Sequence, residues 1–317
     1  MQTFQIRPAE RREIHAALQM ILGVNGRSAA EEHVVDFLRF AVYRGIDLTD
    51  TWVAVAGGQL LWAVLPVVSP GRTMLLFSPS HVPSTLIDTC AAALIERTLE
   101  HSRGRAVDLA QVLLDPADEA AAQTYQSCGF VPLAELIYLE REVHRASIVP
   151  LPPTFTWETY SDANHADFAR TVMATYAGSL DCPRLNGRRG IEDVLAGHKA
   201  AGEFDPKLWF LLHEVKTATA GDRNTGDRSA GTGVLLMSRS TRSDAVELVY
   251  LGLTPEQRGK HLGDAMMRHA VASAAAIGSR RLSLAVDSNN APALRLYRRH
   301  GMTHLCSRLA LLRDLRG

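Results

Sequence analysis

Four cysteines in 317 residues, Cys90, Cys128, Cys182 and Cys306, lie far apart and form none of the close pairs that hold a metal. They read as reduced thiols. Three sit in apolar or helical contexts, and only Cys182, in Ser179-Leu-Asp-Cys-Pro183, occupies a polar, turn-like setting. Net charge is also missing: 34 Lys and Arg balance 34 Asp and Glu. That balance removes the basic field on which general nucleic-acid binding depends. The basic pairs Arg188-Arg189, Arg280-Arg281 and Arg298-Arg299 are dispersed and form no stripe. No apolar run reaches membrane-spanning length, and the first residues lack a basic segment followed by an apolar core. The expectation is a soluble, cytoplasmic protein that needs no metal, nucleic acid or membrane, and that is a monomer or homodimer.

What the chain does carry is concentrated in Glu247-Leu-Val-Tyr-Leu-Gly-Leu-Thr-Pro-Glu-Gln-Arg-Gly-Lys-His-Leu-Gly263. An apolar strand over about 246–253 runs into a turn at Thr254 and Pro255, and Arg258 to Gly263 then open an amphipathic helix. Free N–H groups in a helix's first turn, with the positive end of its dipole, suit a phosphate. Arg258 and Lys260 add charge beside them, and Gly259 and Gly263 let backbone approach closely. A P-loop is excluded, because its spacing and the Ser or Thr after its Lys are absent.

Downstream, Arg281 to Asp287 is an apolar run of strand length. Ser288 to Pro292 carries helix-start chemistry, and a helix through Tyr297 ends at Gly301. Taken together, these residues resemble the Gcn5-related N-acetyltransferase (GNAT) superfamily, whose pyrophosphate signature is Arg or Gln, two residues, Gly, one residue, Gly or Ala. Arg258 and Gly263 match it, whereas His261 stands where the central glycine is usual. The resemblance implies a splayed sheet that admits the pantetheine arm of acetyl-CoA. It assigns Leu251, Gly252, Leu253, Arg258, Gly259, Lys260, His261, Leu262, Gly263, Asn290 and Ala293 to the cofactor. It assigns Glu247 as general base and Tyr297 as the acid that protonates the leaving thiolate.

A proline-rich break, Ile148 to Thr154, divides the chain, and the halves repeat one outline. Asp115 to Phe130 aligns without gaps on Asp287 to Met302, matching Asp115 with Asp287, Asp118 with Asn290, Tyr125 with Tyr297 and Gly129 with Gly301. The expected fold is α/β (α+β): two tandem GNAT-like domains, each a mixed, mostly antiparallel splayed sheet flanked by helices. The boundaries read 1–146, a linker over 147–154, and 155–317. In the first copy, Ser78-Pro79 is followed by no glycine or arginine, and no carboxylate lies between Thr51 and Ile87. That copy reads as degenerate. Residues 217–232 show no apolar periodicity and read as a mobile hairpin loop.

This organisation is also similar to the mycothiol synthase family, whose members acetylate a sugar-linked cysteine amine. The implied activity is acetyl transfer from acetyl-CoA to a primary amine of a small polar molecule. A non-catalytic CoA-binding protein and acetylation of a protein amine are the alternatives. The acceptor region would include residues 176–184 and Asn186, whose mixed polarity fits a small polar amine.

Overall fold

The repeat folds as two units, and each unit takes one strand from the other repeat. The computed structural model describes residues 3–24, 26–80, 84–144, 151–215, 231–240 and 244–316. Two units result, Met1–Glu135 with Ser307–Gly317, and Leu136–Cys306.

The first unit contains β1 (Gln5–Pro8), α1 (Ile14–Ile21), α2 (Glu31–Arg44), β2 (Trp52–Ala56), β3 (Gln59–Ser69), β4 (Thr73–Phe77), α3 (Thr85–Ser102), β5 (Leu109–Leu114) and α4 (Glu119–Ser127). Period-two alternation sends Ala63 and Leu65 of β3 to one face, where Leu18 and Phe37 of α1 and α2 cover them. Trp62 and Val64 point the other way, into the core under α3 and α4.

Next in the chain is β6 (Val131–Glu142), whose last seven residues belong to the second unit. That unit continues with β7 (Phe155–Thr159), α5 (His165–Tyr176), α6 (Ile191–Lys199), β8 (Trp209–Glu214), β9 (Gly233–Arg239), β10 (Ala245–Leu253), α7 (Leu262–Ala276), β11 (Arg281–Asp287) and α8 (Ala291–Arg299). The final strand, β12 (Thr303–Asp314), pairs through Leu309–Asp314 with β5 of the first unit. Strand order is β1-β2-β3-β4-β5-β12 in one unit and β6-β11-β10-β9-β8-β7 in the other. Apart from the parallel pairs β4–β5 and β10–β11, the neighbours described are antiparallel. In the second unit α5 and α6 cover one face and α7 and α8 the other.

The contiguous boundaries read from the sequence therefore need correction. Each repeat's last strand, β6 or β12, completes the other unit's sheet, so the packing units are not the halves on either side of the linker. Linker residues 145–150 and loop residues 216–230 lie outside the described residues, so the expected mobility of 217–232 is left there. Among the described residues no helix is long and apolar enough to cross a membrane.

Two expectations follow. A fragment starting at residue 155 and ending at 306 lacks β6 and leaves β11 without its antiparallel ladder. It should fail to melt cooperatively, whereas 136–306 should melt as a unit; equal melts by circular dichroism would refute the exchange. The second concerns His269 on α7, whose ring stacks on Trp157 (4.5 Å, 26°) and meets Phe210 edge-on, with Nε2 buried and unpartnered. Burial pulls its pKa down to about 4. Between there and the usual ~6.5 the unfolded chain binds more protons, so stability rises with pH across that window and is lost on acidification. His269→Phe should flatten this acid limb in denaturation measured from pH 7 to 4.

Candidate active site

The site begins where β10 and β11 part. Their parallel register covers only Ala245–Glu247 against Arg281–Ser283. Beyond it β10 stays with β9 and β11 stays with β6, so each strand keeps one ladder while the strands diverge. A cavity of about 180 Å³ opens there, walled by Leu248–Leu253, Ala285, Val286, Asn290, Pro292, Ala293, Leu296 and Tyr297, together with Thr175, Gly178–Asp181 and Arg258.

A bulge at Val249 sets which side chains meet the cavity. Leu248 pairs with Met237 and Tyr250 with Leu236, leaving Val249 as the extra residue. The inserted residue reverses the alternation, so Leu251 and Leu253 pack toward α7 and α8 while Tyr250 turns toward α5. There the Tyr250 hydroxyl lies 2.9 Å from Thr175 Oγ1. Gly252 sits on the same side, where a Cβ would come within 2.7 Å of Thr175 Oγ1. Only glycine fits so close to α5.

The expected phosphate turn precedes α7. His261 has φ 60° and Gly259 φ 77°, both left-handed. The usual central glycine of the signature thus has a backbone reason: its position here lies where a Cβ costs about 1 kcal/mol. The His261 side chain is 91% exposed, 3.7 Å from Asp264, and leaves the backbone turn intact. Asp264, an acid in the first turn of α7, is occupied by Arg299 and His300, each at 3.0 Å. Its charge is therefore offset by the Arg299 guanidinium before any phosphate is considered.

Two of the assigned residues also have partners within the protein. Arg258 was expected to offer mobile charge, but its guanidinium donates to the carbonyls of Leu253, Gly178 and Thr175 at 3.2, 3.1 and 2.8 Å. It ties the end of β10 to the C-terminus of α5. Gly263 was expected to face a pyrophosphate, yet its absent Cβ points at Leu296 of α8, 3.1 Å away. Its small size serves helix packing. Lys260 donates to Gln257 Oε1 at 3.2 Å. Gly259, Lys260, His261, Leu262 and Gly263 lie off the cavity wall, on the turn and first helical residues beside it.

Asn290 caps α8, its Oδ1 accepting the Ala293 N–H at 3.3 Å. Tyr297, one helical turn beyond Ala293, is 7% exposed on the wall. Burial, and then the charge of Asp181, raise its pKa, and its hydroxyl has no hydrogen-bond partner among the described residues. Glu247 is the last β10 residue registered with β11 and stands at the apex of the divergence, one residue before the wall begins. It lies on a central strand, not a solvent-facing edge, and burial raises its pKa.

The loop between α5 and α6, which the sequence reading assigns to the acceptor region, lines the cavity through Gly178–Asp181. Asp181 Oδ1 accepts the Asp287 N–H at 3.0 Å, and Asp287 Oδ2 accepts the Cys182 N–H at 3.2 Å. Cys182 is left-handed, φ 45°, and burial beside Asp181 and Asp287 pushes its thiol up to about 12. A thiol so placed is inert at neutral pH. The signal available was the polar context of Cys182, but nothing local named Asp287 as its partner.

The first unit repeats the frame and has an opening of its own, a cavity of about 350 Å³ walled by Leu75–Ser80, Val112–Asp115 and Asp118. Asp118 caps α4 through Ala121 N–H at 3.0 Å, as Asn290 caps α8. Its tyrosine, Tyr125, donates to Ser78 Oγ at 2.9 Å. The short β4 stays registered with β5 over Thr73–Leu76 of its five residues.

Comparison with known proteins agrees with this geometry. The profile of the acetyltransferase (GNAT) family matches residues 197–302. A mycothiol acetyltransferase from Acidothermus cellulolyticus is 27% identical over 95% of this chain and 90% of its own length. One from Jonesia denitrificans is 25% identical over 55% of this chain, and the match spans 52% of that relative. Among solved structures, a GCN5-related N-acetyltransferase from Sphaerobacter thermophilus superposes with a TM-score of 0.65 at 17% identity, covering 99% of this chain and 96% of that one. A tandem GNAT protein from the clavulanic acid biosynthesis pathway gives 0.53 at 15%, covering 99% of each chain. At such identities the likeness establishes the fold.

The strained turn makes one prediction. His261→Gly should raise stability by about 1 kcal/mol in urea denaturation, because it relieves a left-handed Cβ and loses only an exposed contact. A lower midpoint would remove the left-handed assignment.

Proposed function

The chain belongs to the GNAT superfamily of acetyltransferases, in a tandem-domain arrangement, and from that premise we propose that the second unit transfers acetyl from acetyl-CoA to a primary amine of a small polar molecule. The observation that carries this reading is the cavity at the β10–β11 divergence, walled by Tyr297, Asn290 and the bulged part of β10. Acetyl-CoA supplies an activated thioester. The residues fit it: a strand edge freed of its neighbour can accept an extended arm, and the glycine-containing turn before α7 leads into amides with no intrahelical partner.

In this reading the chain's own groups divide the work of a direct attack. Glu247 takes the proton that leaves the acceptor ammonium, through water, because it stands at the apex and not on the wall. The new C–N bond forms as the C–S bond breaks, and N–H groups of Leu251 to Leu253 stabilise the charge on the acyl oxygen. Tyr297, whose hydroxyl has no partner, gives its proton to the departing sulfur and regains one from the acylated nitrogen through water. A thiolate with a free pKa of ~8.5 needs only modest help, so Tyr297 matters less than Glu247. The first unit, with Tyr125 bonded to Ser78, serves as scaffold.

Free-thiol release from acetyl-CoA across a panel of small amines tests the reading. Glu247→Gln should lower kcat/KM about 100-fold or more, and Tyr297→Phe about 10-fold, with acetyl-CoA affinity kept. In the wild type kcat/KM should fall on acidification, with an inflection above the usual carboxylate range, since burial raises Glu247 and a base must be deprotonated. Glu247→Gln should lack that limb. Acetyl-CoA binding without turnover on any amine would favour a binding-only protein.

A further inference from the structure

The loop after α5 carries a carboxylate into the cavity and supplies it with no counter-charge. Asp181 lines the wall with Tyr250 and Tyr297. Oδ1 is held by the Asp287 N–H, and the reciprocal bond from Cys182 N–H to Asp287 fixes the loop to the end of β11. Asp287 Oδ1 in turn accepts from the backbone and side chain of Asn289. Asp181 Oδ2 has no hydrogen bond or ion pair among the described residues.

Its neighbours are suited to a cation. Tyr176 and Tyr250 meet edge to face at 5.6 Å, and Tyr250 and Tyr297 share the wall with the carboxylate. The charge of Asp181 contributes to raising all three tyrosines, after burial, which places the groups in one electrostatic neighbourhood. The nearest guanidinium on the wall, Arg258, is spent on three backbone carbonyls. A carboxylate removed from water is costly without a partner, and aromatic faces beside it favour a positive group over an anion. Two reciprocal hydrogen bonds nevertheless fix it there.

We propose that Asp181 is the specificity-determining residue that holds the ammonium group of the acceptor, so that the cavity selects primary amines which arrive as cations. This rests on the transferase reading above. It adds a residue that Glu247 and Tyr297 do not replace: Asp181 positions the nitrogen, while the proton is removed at Glu247.

The test compares wild type and Asp181→Asn by thiol release, with ethanolamine, glucosamine and putrescine as cationic acceptors and aniline as an amine that is neutral at pH 7. Asparagine keeps an Oδ1 acceptor for the Asp287 N–H, so the loop attachment is retained. KM for the cationic amines should rise about 30-fold or more, the scale of a lost charge-assisted contact, while KM for acetyl-CoA and for aniline stays within about two-fold. Asp181→Glu, which keeps the charge, should recover part of the loss for cationic amines. An equal rise for aniline, or no rise for the cations, overturns the proposal, as does loss of a cooperative melt in Asp181→Asn, which would assign Asp181 to the loop's fold. Absence of turnover by wild type on every amine sinks the transferase reading and this inference with it; the other outcomes leave that reading standing.

Discussion

The parting of β10 from β11 after three registered pairs is the constraint on which the rest of the second unit depends. Strands give up hydrogen bonds at a cost unless each retains another ladder. Here β10 keeps β9 up to Leu253↔Gly233, and β11 keeps β6 from Arg281↔Glu142 to Asp287↔Leu136. The second of these ladders comes from the first repeat. Strand exchange therefore underwrites the opening: β11 can leave β10 because a strand from the other half of the chain holds its far edge.

The bulge at Val249 acts on the same strand at the point of divergence. Without it, Tyr250 and Gly252 would share the face of Leu248 and enter the core under α7 and α8. With it, Tyr250 reaches Thr175 and Gly252 lets α5 approach, while Arg258 binds the carbonyls that end α5. One extra residue thus brings α5 to the edge of β10. Asp181 and Asp287 then fasten the following loop to β11. The cavity has walls on both sides because the bulge turns one strand toward α5 and the fastened loop reaches the other.

Much of this was legible in the sequence where a local pattern carries it. Apolar runs of strand length gave β10 and β11 within a residue or two, and Asn290 with Pro292 marked the start of α8. The gapless match of Asp115 to Phe130 with Asp287 to Met302 disclosed the repeat. What stayed hidden depends on residues remote in the chain. The exchange of β6 and β12 has no local signature, since each strand has the pattern it would have beside its own repeat. The bulge is one residue in an apolar run where either register looks plausible. Arg258 and Gly263 fit a sequence signature, but their side-chain directions are set by Thr175, Gly178 and Leu296, and a motif does not name those partners.

The two tyrosines show why the copies diverged without loss of the frame. Tyr125 and Tyr297 occupy matching positions on helices capped alike by Asp118 and Asn290, and both rings are buried. Burying a ring stabilises a fold whether or not its hydroxyl is used, but a hydroxyl out of water needs a partner. Ser78 supplies one in the first unit, although a cavity opens beside it there too. In the second unit Tyr297 lines the cavity, and its hydroxyl has no protein partner among the described residues. A group left this way is satisfied by whatever enters the opening. Replacing Ser78 would therefore orphan a buried hydroxyl in the first unit, whereas closing the cavity would orphan one in the second: the same residue type stabilises one copy by being bonded and equips the other by being left free.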